Sequence, residues 1–403
     1  MLTGLKEINN GGITSAPGFK AAGISCGIKS GGKSDLALIA SDTACEVGAA
    51  FTTNQIKAAP VKLSIQHVRR GTCKAIIANS GCANACTGVQ GISDAKAMVE
   101  AVAGELKIAR RDTLVCSTGP ISTFLPMTKL LKGIPQLVQK ADVKSGKKAA
   151  EAIMTTDTFS KEFAITLPID GKRVTIGGIA KGAGMIHPNM ATMLSFITTD
   201  ALIDKVTLQK CTLNAVEETF NRISVDGDTS TNDSIIVLAN GLTENNKLRK
   251  GHAQVGRFQE ALTYVMQKLA RLIVADGEGI TKVVEIQIQG AASTADAKKH
   301  AEAIACSALV KCSWAGGDPN WGRIMAALGY SGARVREELV DIFYDGLAAT
   351  KGGLVAKTPL TKLKKITRKK TFTITIDLHL GKGRYNLLTN DFTEEYVRIN
   401  LGE

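Results

Sequence analysis

The residues best suited to chemistry lie in one mid-chain run from Lys181 to Leu194, with the sequence KGAGMIHPNMATML. A threonine hydroxyl is a weak nucleophile, and it needs a base within hydrogen-bond reach. Cleavage of the Ala191–Thr192 bond would free an α-amine with an ordinary pKa of about 7.7 to 8, close to the hydroxyl of the same residue. The run therefore predicts that Thr192 is a nucleophile that gains its own base when the chain is cut before it.

Other nucleophile systems fit the sequence less well. The chain has five histidines, and no Gly-x-Ser-x-Gly elbow and no Cys/His pair at a familiar spacing accompanies them. The sequence thus favours the threonine and amine form of covalent catalysis over a Ser-His-Asp triad.

Further short motifs follow one another in order along almost the whole chain. They are Gly18–Gly23, Phe51–Asn54, Asn79–Gly81, Ala83–Gly88, Ser117–Gly119, Met154–Thr158, Asp226–Asp233, Asp276–Gly279, Gly317–Arg323 and Tyr396–Asn400. By these motifs and by the run that ends in Ala-Thr-Met-Leu, the chain resembles the ornithine acetyltransferase family of arginine biosynthesis, also called glutamate N-acetyltransferase. Cys82 stands where an asparagine is usual in that family.

The resemblance implies a self-cleaving acetyltransferase. The precursor would cut itself between Ala191 and Thr192, and acetyl would then pass from N-acetylornithine to Thr192 and on to glutamate. The implied partners are these two substrates and the cleaved segments 1–191 and 192–403, assembled as an α2β2 heterotetramer. No metal and no organic cofactor is implied. Some family members also take acetyl from acetyl-CoA, and the sequence leaves that donor open.

The resemblance also assigns roles to single residues. Thr118 and Gly119 match the oxyanion pair, because a hydroxyl and a backbone N–H at a Thr-Gly turn can both donate to a developing oxyanion. Substrate binding is assigned to Thr155, Lys181, Thr192, Glu278 and Asn400. Lys181 would pair with an α-carboxylate, and Glu278 would receive an ammonium group.

Composition agrees with a cytoplasmic enzyme of mixed α/β structure. Of the 403 residues 44% are hydrophobic, which is enough for a sizeable core, and 4% are aromatic, so aliphatic side chains must fill it. No apolar stretch reaches the roughly 18 to 20 residues of a membrane span, and the first residues do not read as a signal peptide. Nine cysteines without a Cys-x-x-Cys pair indicate reduced, structural thiols.

The net charge of +13 suggests an alternative function, because a basic protein can bind nucleic acid. The densest basic cluster, from Lys362 to Lys370, contains no aromatic residue on which a base could stack. We therefore predict a solvated loop or a charged guard of an edge strand there, with no nucleic acid and no membrane as partner. An amidohydrolase or aminopeptidase of similar fold is the second alternative, because it would share a terminal Thr or Ser and the oxyanion donors.

The elements that must position these residues alternate between strand and helix patterns. We expect a hairpin from Phe163 to Ile179 that turns at Asp170-Gly171, a strand from Met193 to Ile197, and helices over about 205–222, 257–274 and 295–309. The resemblance implies a layered αββα sandwich similar to N-terminal-nucleophile hydrolases but of a distinct superfamily. The predicted domains are a catalytic core over residues 1–280 and a smaller C-terminal α/β domain over 281–403.

Overall fold

The structure is a computed structural model, and it describes residues 3–70, 72–187 and 193–401. The chain forms two compact units. The first contains Met1–Gly182, Asn189–Asn221 and Thr229–Ile273, and the second contains Ala183–Pro188, Arg222–Asp228 and Val274–Glu403. The predicted domain boundary at residue 280 stays a prediction.

The strands of the first unit, within the described residues, form two sheets. They are β1 (Lys6–Glu7), β2 (Phe19–Ile24), β3 (Leu36–Phe51), β4 (Cys73–Ser80), β5 (Thr113–Thr118), β6 (Lys161–Ile169), β7 (Lys172–Lys181), β8 (Leu194–Thr199) and β9 (Ser234–Ala239). The long strand β3 belongs to both sheets: its last six residues pair with β9, and its first part pairs with β2 on one side and β4 on the other. The first sheet has the order β1-β6-β7-β8-β9-β3, and β5 completes the second beside β4.

Alternate side chains of the two sheets point into one shared apolar core. Ile76 and Ala78 of β4 join Phe196 of β8 and Ile236 of β9 in this cluster. The intervening residues, such as Ile77, face the opposite side of the second sheet. This alternation is expected of strands that are covered on both faces.

Helices cover the outer faces of both sheets. The helices of the first unit are α1 (Ala59–Arg70), α2 (Gly88–Leu106), α3 (Met127–Gln139), α4 (Gly146–Ala152), α5 (Lys205–Glu218) and α6 (Val255–Ala275). Apolar residues of α2 and α3 pack on the outer face of the second sheet. On the first sheet, a Cβ at Gly48 would lie 2.2 Å from Thr212 of α5, and one at Gly178 would lie 3.1 Å from Leu269 of α6. The predicted αββα layering is therefore confirmed.

The predicted hairpin is present and leads directly to the candidate site. Strands β6 and β7 pair from Lys161 with Ala180 through Ile169 with Lys172. The turn residues Asp170 and Gly171 have φ of 50° and 74°. Positive φ at both positions of a two-residue loop suits Asp-Gly and matches the twist of the strands. Strand β7 then runs, largely buried, to Lys181, its last residue.

The second unit has its own sheet and core. Its strands, within the described residues, are β10 (Val283–Ala291), β11 (Asp341–Tyr344), β12 (Leu347–Lys351), β13 (Leu354–Val355), β14 (Thr371–Asp377) and β15 (Gly383–Asn390), in the order β13-β12-β11-β14-β10-β15. Its helices there are α7 (Thr294–Ala305), α8 (Ala308–Ala315), α9 (Trp321–Tyr330), α10 (Leu360–Thr367) and α11 (Glu394–Asn400). Trp314 and Phe372 pack edge to face in the core.

Two sequence-based predictions about this unit are wrong. The helix predicted over 295–309 ends at Ala305, and a new helix begins after Ser307, whose hydroxyl accepts a hydrogen bond from the Val310 N–H. The basic stretch predicted as a solvated loop or an edge-strand guard contains the helix α10. Its Leu363 and Ile366 are buried one turn apart, while the lysines around them are exposed, as predicted.

No helix in the described ranges is both long and apolar enough to span a lipid bilayer. All nine cysteines are free thiols.

Candidate active site

Lys181 is the centre of a buried polar cluster at the carboxyl end of β7. Only 2% of the residue is exposed. Its ammonium donates to Thr155 Oγ1 at 2.6 Å and to Thr118 Oγ1 at 3.3 Å. Three residues that the resemblance assigned to the site are thus brought together, although they are far apart in the sequence.

Asp157 supports this cluster, and the sequence analysis gave it no role. Its carboxylate accepts hydrogen bonds from Lys161 Nζ at 2.6 Å and from the Gly182 and Thr155 N–H groups at 2.7 and 2.9 Å. It lies 4.0 Å from Lys181 Nζ. Burial alone would raise the pKa of Asp157, but the two ammonium groups and the Gly182 N–H lower it to about 2. The only sequence signal for Asp157 was its place in the motif Met154–Thr158.

Thr118 and Gly119 lie at the carboxyl end of β5. Thr118 is its last residue, and the Thr118 carbonyl accepts a hydrogen bond from the Cys82 N–H at 3.1 Å. Gly119 has φ of +136°, and a Cβ there would lie 2.5 Å from Cys82 N and 2.7 Å from Gly81 C. Only glycine fits here, because it adopts a positive φ without a steric cost and has no Cβ that would collide with the backbone of Gly81 and Cys82.

A second polar network holds the ends of β4 and β5 in register. Ser117 Oγ donates to Asn79 Oδ1 at 2.6 Å, and Asn79 Nδ2 donates to the Cys82 carbonyl at 2.9 Å. Asn232 Nδ2 donates to the Ala83 and Ser117 carbonyls at 2.6 and 2.8 Å. These bonds satisfy buried polar groups beside Thr118, so they fix its position. Asn232 was also missed, although it lies in the motif Asp226–Asp233.

The predicted nucleophile and cleavage residues, Thr192 and Ala191, lie outside the described residues. The next residue, Met193, is described and buried. Its N–H donates to Asp233 Oδ1 at 2.8 Å, and its carbonyl accepts from the Ser234 N–H at 3.1 Å. The chain that follows Thr192 is therefore held firmly at the start of β8.

Glu278 and Asn400 meet within the second unit. Asn400 Nδ2 donates to Glu278 Oε2 at 2.8 Å. Glu278 is 8% exposed, and its N–H donates to the Ala183 carbonyl at 3.1 Å. A Cβ at Gly184 would lie 2.5 Å from Glu278 Oε1. A carboxylate held in this way beside a glycine backbone can accept a hydrogen bond from a ligand ammonium.

Asp226 of the same unit fixes the segment that precedes the candidate cleavage point. Its carboxylate accepts from the Met185 and Ile186 N–H groups at 2.5 and 2.9 Å. Burial raises the pKa of Asp226 to about 6, against the opposing effect of these backbone donors. The sequence analysis did not assign Asp226 a role, although it begins the motif Asp226–Asp233.

In the part of the chain that the structure describes, no group of three or more His, Cys, Asp or Glu side chains is arranged to hold a metal ion. The described groups are hydroxyls, two ammonium groups, a low-pKa carboxylate and backbone donors. This set is suited to binding a charged amino acid and stabilising an oxyanion.

Comparisons with known proteins identify the family of this chain. A model of the ArgJ family matches residues 20–402. The arginine biosynthesis bifunctional protein ArgJ of Geobacter sulfurreducens is 47% identical over 384 residues, covering 95% of this chain and 98% of the relative. The protein of the same name from Caldanaerobacter subterraneus is 46% identical over 401 residues, covering 98% of each chain.

Among solved structures, the ornithine acetyltransferase of Mycobacterium tuberculosis complexed with ornithine is 41% identical, with a TM-score of 0.42. The match covers 47% of this chain and 99% of that chain. With a family match over nearly its whole length and relatives of such identity, the chain belongs to the ArgJ family of arginine biosynthesis enzymes.

Proposed function

We propose that this chain is a self-processing acetyltransferase that moves acetyl from N-acetylornithine to glutamate through an acetyl ester on Thr192. One observation carries the proposal: the buried Lys181 ammonium meets the hydroxyls of Thr155 and Thr118, and Thr118 directly precedes Gly119. Membership of the ArgJ family supports the same reaction.

In the proposed first step, the Thr192 hydroxyl attacks the acetyl carbonyl of N-acetylornithine. The free α-amine of Thr192 takes the hydroxyl proton and later gives it to the departing amine of ornithine. Thr118 Oγ1 accepts a hydrogen bond from Lys181, which leaves the hydroxyl hydrogen of Thr118 for the oxyanion. The Gly119 N–H is the second proposed donor.

In the second step, the amine of glutamate attacks the acetyl ester, and N-acetylglutamate leaves. Lys181 is proposed to pair with the α-carboxylate of either amino acid, with Thr155 beside it. Glu278 and Asn400 are proposed to receive an ammonium group of the substrate. The active form is proposed to be an α2β2 heterotetramer of the two segments in the cytoplasm.

The first test is self-cleavage. On a denaturing gel the purified protein should give two bands of similar size, and Thr192→Ala should give one full-length band without exchange activity. Thr72→Ala, an exposed threonine far along the chain from the cleavage point, is the matched control and should cleave normally. Cleavage of Thr192→Ala at the same bond would contradict the mechanism.

The second test identifies the acyl group carrier and the donor. After mixing with N-acetylornithine, mass spectrometry should find one added acetyl group on the segment that begins with Thr192. Acetyl on a cysteine peptide alone would contradict the threonine ester. A donor panel with glutamate as acceptor then compares N-acetylornithine with acetyl-CoA, and acetyl release to water without transfer would indicate a hydrolase.

A further inference from the structure

The two amino acids of the proposed reaction differ at the end remote from the α-amine. N-acetylornithine has an ammonium group there, whereas glutamate has a second carboxylate. A cation of the protein that meets this carboxylate would favour glutamate as the acceptor, because hydrogen bonds between charged groups are stronger than neutral ones. The first unit has such a cation beside the candidate active site, in addition to Lys181.

Lys29 lies in the loop 25–34 between β2 and β3, and a buried carboxylate fixes the backbone of this loop. The carboxylate belongs to Asp35, which is fully buried just before β3. It accepts hydrogen bonds from the N–H groups of Cys26, Ile28 and Lys29 at 2.7, 2.7 and 3.1 Å. Three bonds to one anion hold the loop in a single conformation and set the direction in which the Lys29 side chain leaves it.

The side chain of Lys29 extends from this loop to the candidate active site. A Cβ at Gly81 would lie 2.9 Å from Lys29 Cγ, so the lysine stem packs against Gly81. Gly81 is also part of the backbone that Gly119 approaches, since a Cβ at Gly119 would lie 2.7 Å from Gly81 C. The Lys29 ammonium donates to the Met154 carbonyl at 2.9 Å. Lys29 therefore lies next to the proposed oxyanion turn.

Lys29 and Lys181 bond to two consecutive residues. Lys29 Nζ donates to the Met154 carbonyl, and Lys181 Nζ donates to Thr155 Oγ1. Consecutive Cα atoms are about 3.8 Å apart, whereas the two carboxyl carbons of an extended glutamate are about 5 Å apart. A hydrogen bond of about 2.8 Å at each end extends that reach. One glutamate is therefore long enough to present a carboxylate to each ammonium group.

The Lys29 ammonium is available to an anion. Within the described ranges it bonds to the neutral Met154 carbonyl, and no carboxylate there lies within ion-pair distance of it. The residue is half-buried, so a ligand can reach it from solvent. Burial lowers the pKa of Lys29 against the opposing effect of Asp35, and the ammonium groups of Lys33 and Lys181 lower it further. A bound carboxylate would offset the repulsion among these ammonium groups.

On the basis of the proposed function, we propose that the Lys29 ammonium binds the side-chain carboxylate of glutamate and so selects the acceptor. Lys181 holds the α-carboxylate of the same molecule while its amine attacks the acetyl ester. The distal ammonium of ornithine gains nothing from Lys29, because like charges repel. Lys29 is thus a specificity residue for the glutamate half of the reaction.

Lys29→Met in the full-length chain tests this role when the two half-reactions are measured separately. Exchange of isotopically labelled ornithine with N-acetylornithine needs no glutamate, and it should stay within a few-fold of the wild-type rate. With glutamate as acceptor, kcat/KM should fall by about 10- to 100-fold, mainly through the KM for glutamate. Lys29→Arg keeps the charge and should recover part of this loss. Lys33→Met is the matched control, because Lys33 is exposed on the same loop, and neither half-reaction should change.

An acceptor panel gives a readout that does not require a variant to fold. Glutamine has the length of glutamate without the second charge, so the wild type should use it with a kcat/KM lower by the same factor. Lys29→Met should remove most of this preference. Equal losses in both half-reactions, an unchanged KM for glutamate, or a wild type that accepts glutamine as well as glutamate would overturn the proposal. A wild type that does not exchange ornithine with N-acetylornithine contradicts the proposed function instead.

Discussion

Lys181 donates a 2.6 Å hydrogen bond to Thr155 and stands 4.0 Å from the carboxylate of Asp157. The neutral hydroxyl of Thr155 is thus closer to the Lys181 ammonium than the negative charge of Asp157 is. Such an arrangement keeps a buried ammonium stable without neutralising it fully, so an incoming carboxylate still finds a favourable partner.

Lys181→Met should weaken the binding of N-acetylornithine. The variant keeps the apolar stem but loses the charge, and hydrogen bonds to charged groups contribute about 1.5 to 3 kcal/mol. We expect kcat/KM to fall by about 10- to 100-fold, mainly through KM, in steady-state assays with N-acetylornithine. Lys20→Met is the control, because Lys20 forms an exposed ion pair with Asp42, and its kinetics should not change. An unchanged KM for Lys181→Met would remove Lys181 from substrate binding.

Thr118→Val should lower kcat and leave binding largely intact. Loss of one oxyanion donor typically costs about 2.7 to 4 kcal/mol, or roughly 10²- to 10³-fold in kcat. Thr113→Val on the same strand is the matched control. Its buried Oγ1 has no partner in the described part of the chain, so the same substitution should keep activity and keep or raise the melting temperature. Equal kinetic losses in both variants would argue against the oxyanion role.

Gly119→Ala should damage the site through the backbone. Alanine at this position would have to adopt a φ of +136°, and its Cβ would lie 2.5 Å from the Cys82 nitrogen. The backbone around Cys82 must therefore move. We expect a lower melting temperature and loss of exchange. Gly104→Ala in α2 is the control, since nothing lies within 4 Å of its Cβ, and Ala favours a helix by up to about 1 kcal/mol. A Gly119→Ala enzyme that exchanges acetyl normally would show that this turn is not used.

Asp157 should make folding stability depend on acid pH. Its pKa is lowered on folding from 3.8 to about 2, so its contribution is fully present above pH 4 and is lost as pH falls from about 4 to 2. Asp157→Asn removes the carboxylate that pairs with the fully buried Lys161, and breaking a buried ion pair costs about 3 to 5 kcal/mol at neutral pH.

Urea unfolding of wild type and Asp157→Asn between pH 2 and 7 checks this prediction. The difference in unfolding free energy should be largest near neutrality and shrink toward pH 2. Asp42→Asn, which breaks only the exposed pair with Lys20, should differ from wild type by less than about 1 kcal/mol. If the difference in unfolding free energy between wild type and Asp157→Asn grew toward low pH, the pKa of Asp157 would not be lowered on folding.

The sequence by itself determined the features that depend on neighbouring residues. The Asp-Gly pair set the β6–β7 turn, because positive φ is a local preference. The sequence around this turn also indicated the two strands of the hairpin, and the ordered motifs were enough to indicate the family. Apolar residues three apart in α10 were a weaker signal than the lysines around them, so that helix was missed.

Only the tertiary structure decided which polar groups meet. Lys181 and Thr118 are 63 residues apart, and Asn232 reaches a carbonyl 149 residues away. The low pKa of Asp157 depends on the Lys181 ammonium, 24 residues further along the chain, and no local pattern encodes that approach. Electrostatic energies depend on distance in space and on the loss of water, and both are fixed only when the sheets pack together.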